Sequence, residues 1–235
     1  MNRRALLLAG AAVLAALSGW SATWPAFASH APAWTLIPRS GLTVTDGSIS
    51  PAGPKALLQT MDPGMRAVAL DGGRHAHAAR LWFRYLGEST TTEPLGSGLI
   101  RRQIGLKLRA RDPCNLVYVM WHAYPDSAVQ VQVKRNPGQT TSAECGNNGY
   151  TQVATFPLGD GESTADHSAH RLEVDSQRSA NRALVLVIYA DGELLQKIRI
   201  SAALTAGLDG PIGVRSDNGN YLFRLSSRLS ASRHP

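Results

Sequence analysis

The fold is decided by one stretch of the chain, Ile104–Arg135, which reads IGLKLRARDPCNLVYVMWHAYPDSAVQVQVKR. It contains three consecutive runs in which apolar residues alternate with polar or basic ones. A period of two is typical of a β-strand that buries one face and exposes the other. The apolar face of the three predicted strands comprises Ile104, Leu106, Leu108, Val117, Val119, Trp121, Val129, Val131 and Val133.

The opposite face of these strands carries cations, amides and aromatic rings, which makes it a candidate ligand face. A fourth run, Arg80–Leu86, alternates in the same way and adds basic and aromatic residues to the predicted face. Such groups fix and orient small ligands in binding sites. The predicted ligand-binding residues are Arg80, Trp82, Arg84, Lys107, Arg109, Gln130, Gln132 and Lys134, and the acid and base candidates for a lyase are Tyr118 and His122.

The rest of the chain adds short strand patterns separated by turn residues. Ala183–Tyr189 is a continuous apolar run that predicts a buried central strand, and Asp191-Gly192 predicts a two-residue hairpin turn. Ser201–Leu208 is expected to form one helical turn. The pattern therefore predicts an all-β fold, a two-sheet antiparallel β-sandwich or jelly roll with few or no helices.

Residues 1–28 have the three parts of a secretory signal peptide. Arg3 and Arg4 are basic, Ala5–Leu17 is apolar, and Ala26-Phe27-Ala28 is a small-x-small cleavage site. The apolar run is shorter than the roughly 20 residues that cross a bilayer. We expect a secreted or periplasmic protein with no membrane segment after cleavage, and the paired arginines leave Sec and twin-arginine export as alternatives.

Cleavage would leave 207 residues, predicted as a Pro/Gly-rich leader with edge strands at 29–66 and a β-sandwich domain at 67–230. The remaining 22 Lys and Arg against 17 Asp and Glu give a net charge of +5, which favours acidic partners. Export and the lack of a Lys/Arg run argue against nucleic acid. The predicted partner is a polysaccharide or cell-envelope glycan, and no oligomeric state is specified.

The two cysteines, Cys114 and Cys145, are most simply explained by one disulfide in an oxidising compartment. The bond would close a loop of about 30 residues and stabilise the fold by roughly 3 kcal/mol. A metal-binding pair and a reactive thiol are the alternatives.

The order of motifs in the C-terminal half resembles the concanavalin A-like lectin/glucanase superfamily. The strand His170–Val174 precedes the hairpin Leu186–Leu194, and the segment Gly210–Asn218 then reads GPIGVRSDN. In that superfamily, a hairpin with a small-side-chain turn followed by G-x-I-G-[LV]-R-S closes the sandwich. The resemblance covers about Arg80–Leu225. It implies that a concave sheet or its rim binds sugar, as in lectin-like modules, laminin G-like modules, glycosidases and polysaccharide lyases.

Glycoside hydrolysis is the less favoured of two enzymatic alternatives. Retaining glucanases of this fold carry E-x-D-x-x-E, whereas here Glu173 and Asp175 are followed by Arg178 in place of the second glutamate. That reaction needs two carboxylates about 5–5.5 Å apart. The alternative interpretation is that Glu173 and Asp175 lie on a solvated strand face and have no catalytic role.

A polysaccharide lyase acting by β-elimination on a uronic-acid polymer is the other alternative. Cations or amides would neutralise the uronate, and Tyr118 or His122 would move the proton. Jelly-roll alginate lyases carry R-x-E-x-R and Q-[IV]-H strands. This chain has Arg80-Leu81-Trp82-Phe83-Arg84, without the glutamate, and no Gln-x-His. Carbohydrate binding without chemistry is therefore the preferred function.

No metal or cofactor site is predicted. His75-Ala76-His77 supplies two imidazoles, whereas a zinc site takes three or four protein ligands. Calcium enters only through the superfamily, with Asp160, Glu162 or Asp217 as ligands and no defined loop.

Overall fold

A computed structural model describes residues 33–70, 76–159 and 167–229. The predicted signal peptide, the turn at 71–73, His75, Asp160 and Glu162 lie outside these residues. No helix in the described ranges combines the length and apolarity needed to cross a membrane.

The described chain is almost entirely β-structure. The strands are β1 (Thr35–Ile37), β2 (Leu42–Asp46), β3 (Ser50–Gly53), β4 (Leu57–Thr60), β5 (Gly64–Ala69), β6 (Ala76–Glu88), β7 (Arg102–Asp112), β8 (Asn115–Tyr124), β9 (Ala128–Arg135), β10 (Tyr150–Pro157), β11 (Ala169–Arg178), β12 (Leu184–Ala190), β13 (Glu193–Ile200), β14 (Gly213–Asp217) and β15 (Gly219–Leu229). One short helix, α1 (Ser142–Cys145), and one 3-10 turn, Arg39–Gly41, complete the set.

The strands form two antiparallel sheets, as predicted. The back sheet has the order β13-β12-β11-β6-β15-β4-β3, with β1 also paired to β15. The front sheet has the order β10-β9-β8-β7-β14-β5-β2. The predicted boundary between residues 66 and 67 falls inside β5, and the segment before it supplies strands to both sheets.

The core lies between the sheets and follows from the period-two pattern. Leu106, Val119 and Val131 from neighbouring front-sheet strands are fully buried against back-sheet residues such as Phe83 and Leu186. The alternation predicted for Ile104–Arg135 is confirmed, since the nine apolar residues named for that face are all buried. The polar halves of the same strands are thereby turned to the outer face of the front sheet.

One prediction of local structure needs correction. β12 is not buried on both faces: it lies next to the edge strand β13, and Val185, Val187 and Tyr189 are only half-buried. Its outer valines face Arg199 and Lys197 across the pair, and long cationic side chains can cover apolar surface with their stems. Ser201–Leu208 forms hydrogen-bonded turns, and the Thr205 N–H donates to the Ser201 carbonyl at 3.2 Å, which is the i+4 bond of the single helical turn that was predicted. The Asp191-Gly192 hairpin turn is confirmed between β12 and β13.

Candidate functional site

Strand register brings many of the predicted residues together on the outer face of the front sheet. Lys107 on β7 pairs with Tyr118 on β8, and Tyr118 pairs with Gln132 on β9. One face of an antiparallel pair is built from such directly opposed side chains. The predicted residues that share this face are Lys107, Tyr118, His122, Gln130, Gln132 and Lys134.

Three predicted residues do not belong to this face. Arg80, Trp82 and Arg84 lie on β6, which is part of the back sheet, so the expected single face is wrong for them. Arg80 Nε donates to Glu173 Oε2 at 2.9 Å, the Arg224 guanidinium lies 4.9 Å from the Trp82 ring, and Arg84 is exposed. The alternation of β6 resembles that of the front strands, but alternation does not encode which sheet a strand joins.

Arg109 also departs from the predicted face. It has a φ of 49° at an irregularity in the β7–β8 pairing, and its guanidinium points toward Asp209, with a closest N–O distance of 3.5 Å. A residue in this left-handed conformation breaks the alternation of side chains along the strand. The Arg109 side chain is therefore directed to the β13–β14 connection instead of toward Tyr118.

A pocket of about 440 Å³ opens on the outer face of the front sheet, and we call it the groove. This volume lies within the range of small-molecule sites in proteins. Part of its wall is the connection between β6 and β7. The residues that line the groove are Leu95, Gly96, Ser97, Leu99, Arg101, Gln103, Gln130, Gln132, Asn147, Tyr150, Gln152 and Arg215.

A buried charge cluster on β14 lies beside the groove. Arg215 Nε donates to Asp217 Oδ2 at 2.8 Å, Arg66 donates to Oδ1 at 2.7 Å, and Gln103 donates to Oδ2 at 2.6 Å. Burial alone raises the pKa of Asp217, but the charges of Arg215 and Arg66 and the hydrogen bonds from Arg215 and Gln103 outweigh it, so the net pKa is lowered. Asp217 is therefore an ionised anchor that fixes the cations around it.

Lys107 is a buried cation on the same face. It is 3% exposed, and burial, followed by the charges of Arg66 and Arg215, lowers its pKa to about 7. Lys134 lies nearby and donates to the Gly146 carbonyl at 2.7 Å. The cations of this region, which we call the cation cluster, are Arg66, Arg101, Lys107, Lys134 and Arg215.

Two tyrosines stack beside the cation cluster, but only one is accessible. The Tyr118 and Tyr150 rings lie 6.1 Å apart with an interplanar angle of 20°. Tyr118 is 4% exposed, and burial raises its pKa to about 12. Tyr150 is 36% exposed, and its hydroxyl accepts a hydrogen bond from Arg215 Nη1 at 3.3 Å. Tyr150, which the sequence analysis did not select, is thus the tyrosine that a ligand in the groove can reach.

His122 lies on the outer face next to Gln103 and is 5% exposed. Burial, followed by the charge of Arg101, lowers its pKa to about 3, so the imidazole is neutral at physiological pH. Its Nε2 atom is buried without a hydrogen-bond partner among the described residues. His122 therefore supplies a neutral imidazole instead of a further cation.

The predicted disulfide between Cys114 and Cys145 is confirmed. It joins the start of β8 to α1, whose first turn is closed by a capping box between Thr141 and Glu144. The segment that follows α1 carries Asn147, one of the groove-lining residues. The disulfide and the cap therefore hold one wall of the groove against the front sheet.

The carboxylates considered for glycoside hydrolysis lie elsewhere. Glu173 is paired with Arg80, and Asp175 accepts from Arg228 at 2.6 Å, both on the back sheet. Arg178, at the end of β11, donates to the Leu208 carbonyl at 2.7 Å. Within the described residues, no group of three or more His, Cys, Asp or Glu is arranged to hold a metal ion.

Several groove residues were not selected by the sequence analysis. The segments Gly213–Asp217 and Tyr150–Gln152 carry consecutive polar residues, such as Arg215, Ser216 and Asp217, so no period of two marked one face in the sequence. The groove-lining residues that were missed are Leu95, Gly96, Ser97, Leu99, Arg101, Gln103, Asn147, Tyr150, Gln152 and Arg215. The ion pair of Arg66 and Asp217 beside the groove was missed as well.

No protein-family model matches the chain, and no curated protein matches it. Among solved structures, Bacillus licheniformis β-glucanase is similar over 86% of this chain and 100% of its own, with 12% identity and a TM-score of 0.50. The metal-free Emp46p carbohydrate recognition domain aligns over 79% of this chain and 88% of its own, with 9% identity and a TM-score of 0.48. Crh5 transglycosylase in complex with NAG aligns over 86% of both chains, with 14% identity and a TM-score of 0.45.

The similarity to the β-glucanase extends over the whole of that structure, and at 12% identity it concerns the fold. It agrees with the two antiparallel sheets of this chain. The chain therefore has a two-sheet jelly-roll fold similar to that of the β-glucanase.

Proposed function

We propose that the groove binds an acidic polysaccharide. The observation that carries this proposal is the combination of a pocket of about 440 Å³ with amide and guanidinium side chains along its wall. Gln132, Gln152 and Arg101 supply planar donors and acceptors for sugar hydroxyls and carboxylates. Leu99 and Ile100 at the rim are 50% and 43% exposed and offer apolar surface to a sugar ring.

The preference for an acidic ligand rests on the cation cluster. The same region holds two carboxylates, Asp217 and Asp46, against the five cations of the cluster, so positive charge is in excess. Burial and the like charges nearby make the charged form of the Lys107 side chain unfavourable. A carboxylate or sulfate in the groove would offset that repulsion, so binding is expected to favour anionic over neutral sugars.

The test is binding of purified protein to neutral and acidic glycans on an array, followed by calorimetry. Gln132→Ala should weaken binding by roughly five- to tenfold, as expected for one lost hydrogen bond. Gln177→Ala is the matched control, because Gln177 is exposed on β11 of the back sheet. Retention of neutral glycans alone, or equal losses in both variants, would contradict the proposal.

We infer that the protein acts outside the cytoplasm as a secreted or periplasmic protein. The signal-peptide pattern in residues 1–28 supports this, and a disulfide between Cys114 and Cys145 is compatible with an oxidising compartment. N-terminal sequencing of the protein recovered from the expressing cells checks it. The expected new N-terminus is Ser29, and an intact residue 1 would contradict it.

β-Elimination is the second candidate function, and the accessible Tyr150 hydroxyl beside Arg215 favours it. In such a reaction, the cation cluster would stabilise the charge that develops on the uronate when its C5 proton is removed. Tyr150, in its phenolate form beside Arg215, would take that proton as the C4–O bond breaks, and the Tyr150 hydroxyl so formed would return it to the leaving oxygen.

Unsaturated uronate absorbance during incubation with alginate, glucuronan or pectate tests this second function. Tyr150→Phe should abolish the product, whereas Tyr118→Phe should retain it, because Tyr118 is shielded beneath Arg215 and Tyr150. Binding of the acidic glycan without product in the wild-type protein would leave the binding function and exclude elimination of that polymer.

A further inference from the structure

Three side chains near the start of β11 form a hydrogen-bonded chain outside the groove. Ser168 Oγ lies 2.7 Å from His170 Nε2, and His170 Nδ1 lies 2.8 Å from Asp191 Oδ2. Because an ionised carboxylate only accepts, Nδ1 donates to Asp191 and Nε2 is left to accept the Ser168 proton. Hydroxyl, imidazole and carboxylate thus have the order and spacing of a nucleophile, its base and the group that orients the base.

Asp191 is held in place by the strand that carries His170. It occupies the β12–β13 turn with a φ of 50°. The Arg171 N–H donates to Asp191 Oδ1 at 2.6 Å, and the Asp191 N–H donates to the Arg171 carbonyl at 2.8 Å. With Oδ1 engaged by the backbone, Oδ2 is directed at the imidazole, which fixes its tautomer.

His170 is set against an aromatic surface. Its ring lies 5.0 Å from Trp121 and 5.7 Å from Phe83, and the residue is 3% exposed, whereas Ser168 is only half-buried. An apolar side chain at position 170 would pack on Trp121 and Phe83 without needing two polar partners, because burying a polar group is unfavourable unless it is hydrogen-bonded. The arrangement places a shielded base beneath a more accessible hydroxyl.

We propose that Ser168, His170 and Asp191 form a catalytic triad that hydrolyses short-chain carboxylic esters, such as acetyl esters. The half-buried Ser168 favours a small acyl group. The triad lies at β11 and the β12–β13 turn of the back sheet, apart from the groove residues. The proposal is therefore independent of glycan binding.

The reaction is an acyl transfer through an acyl-serine. Ser168 Oγ adds to the ester carbonyl carbon while its proton passes to His170 Nε2. The C–O bond to the alcohol then breaks, and His170 returns the proton to the leaving oxygen. Water, activated by His170 in the same way, cleaves the acyl-serine bond, which releases the carboxylic acid and restores the Ser168 hydroxyl. No oxidant, reductant or further reactant is needed.

The test uses the full chain with a fluorophosphonate probe and with p-nitrophenyl acetate. We expect mass spectrometry to locate the label on Ser168, and Ser168→Ala to lose both labelling and turnover. Asp191→Asn should lower kcat by at least about a hundredfold with little change in KM, and should alter the pH–rate profile, since the base is no longer oriented. Ser179→Ala, in the turn after β11, is the control and should retain both activities.

Far-UV circular dichroism and thermal unfolding establish that each variant is folded. If the wild-type protein is not labelled at Ser168 and shows no turnover above the heat-denatured sample, the triad proposal is wrong. Turnover that survives in Ser168→Ala overturns it equally. Because the glycan assay uses the front sheet, a negative result here leaves the binding proposal unaffected, and the reverse also holds.

Discussion

Arg215 and Asp217, two residues apart on β14, form an ion pair with an Nε–Oδ2 distance of 2.8 Å, and Asp217 is 1% exposed. Removing one partner of a buried pair leaves the other charge without compensation, which costs about 3–5 kcal/mol. Asp217→Asn should lower the free energy of unfolding by this amount in urea denaturation. Asp209→Asn is the control, because the Asp209 side chain is 81% exposed, and equal losses in both variants would contradict the role of burial.

The ion pair between Arg215 and Asp217 also makes the free energy of unfolding depend on pH in the acidic range. Burial raises the pKa of Asp217, but the charges of Arg215 and Arg66 and the hydrogen bonds from Arg215 and Gln103 outweigh it, so the pKa in the folded protein lies below that of the unfolded chain. A carboxyl with a lowered folded pKa stabilises the fold above its unfolded pKa of about 3.9 and loses that contribution as pH falls through the folded value. Asp217→Asn should lack this acid-sensitive component, which urea titrations from about pH 5 down to about pH 1–2 would detect.

Lys107→Met should stabilise the free protein. The pKa of Lys107 is lowered from 10.5 to about 7 by burial and then by Arg66 and Arg215, so the unfolded chain holds a proton that the folded chain lacks between these values. Wild-type stability should therefore rise with pH from about 7 toward 10.5. At or below pH 7 the methionine variant should be more stable by roughly 1–4 kcal/mol, as measured by chemical denaturation.

The same substitution should weaken binding of an acidic glycan, because it removes a charge from the cation cluster. Higher stability together with weaker binding distinguishes a functional cation from one that supports the fold. If Lys107→Met were less stable than the wild type and bound glycan equally well, the proposed use of this lysine would be wrong.

Arg101 and Arg84 provide a direct comparison of the two sheets. Arg101 lines the groove and donates to Gln130 Oε1 at 3.3 Å, whereas Arg84 is exposed on the back sheet. Arg101→Gln should weaken acidic-glycan binding by roughly ten- to hundredfold, as expected for a charge-assisted hydrogen bond worth about 1.5–3 kcal/mol. Arg84→Gln should leave the calorimetric affinity unchanged, and the opposite result would locate the ligand on the back sheet.

Loss of the disulfide should affect both stability and binding. Cys114 and Cys145 are 31 residues apart, so the chain-entropy relation gives roughly 3–4 kcal/mol for closing the loop. The double variant Cys114→Ala/Cys145→Ala should unfold at lower urea concentration by this amount. It should also bind glycan more weakly, because Asn147 lines the groove just after Cys145. Unchanged binding in a destabilised variant would show that the wall does not depend on the bond.

Much of the fold could be predicted because alternation separates the core face of a strand from its outer face. Leu106, Val119 and Val131 are buried, and their neighbours Lys107 and Gln132 lie on the outer face, as the pattern indicated. A period of two separates the faces of a strand and says nothing about its partners. Arg84 therefore looked equivalent to Lys107 in sequence, although β6 and β7 belong to different sheets.

The centre of the site was harder to predict because it depends on long-range pairing. Arg215 lies opposite Gly105 on one side and Arg66 on the other, and those partners are more than a hundred residues earlier in the chain. An ideal Cβ at position 105 would lie 2.2 Å from the Val119 carbonyl oxygen, so glycine permits this close packing. The irregularity at Arg109 likewise arises from strand geometry that no spacing of residue types indicates.

The positions of β14 and β15 within the sheets have a consequence for biogenesis. β14 lies between β7 and β5, and β15 lies between β6 and β4, so two strands that are synthesised after their neighbours fill interior places in the two sheets. A nascent chain that ends near residue 210 lacks β14 and β15, so each sheet would lack one of its interior strands. Contacts between distant segments close slowly. The two sheets should therefore become compact only after residues 213–229 have left the ribosome, and the open state before that point is suited to recognition by chaperones.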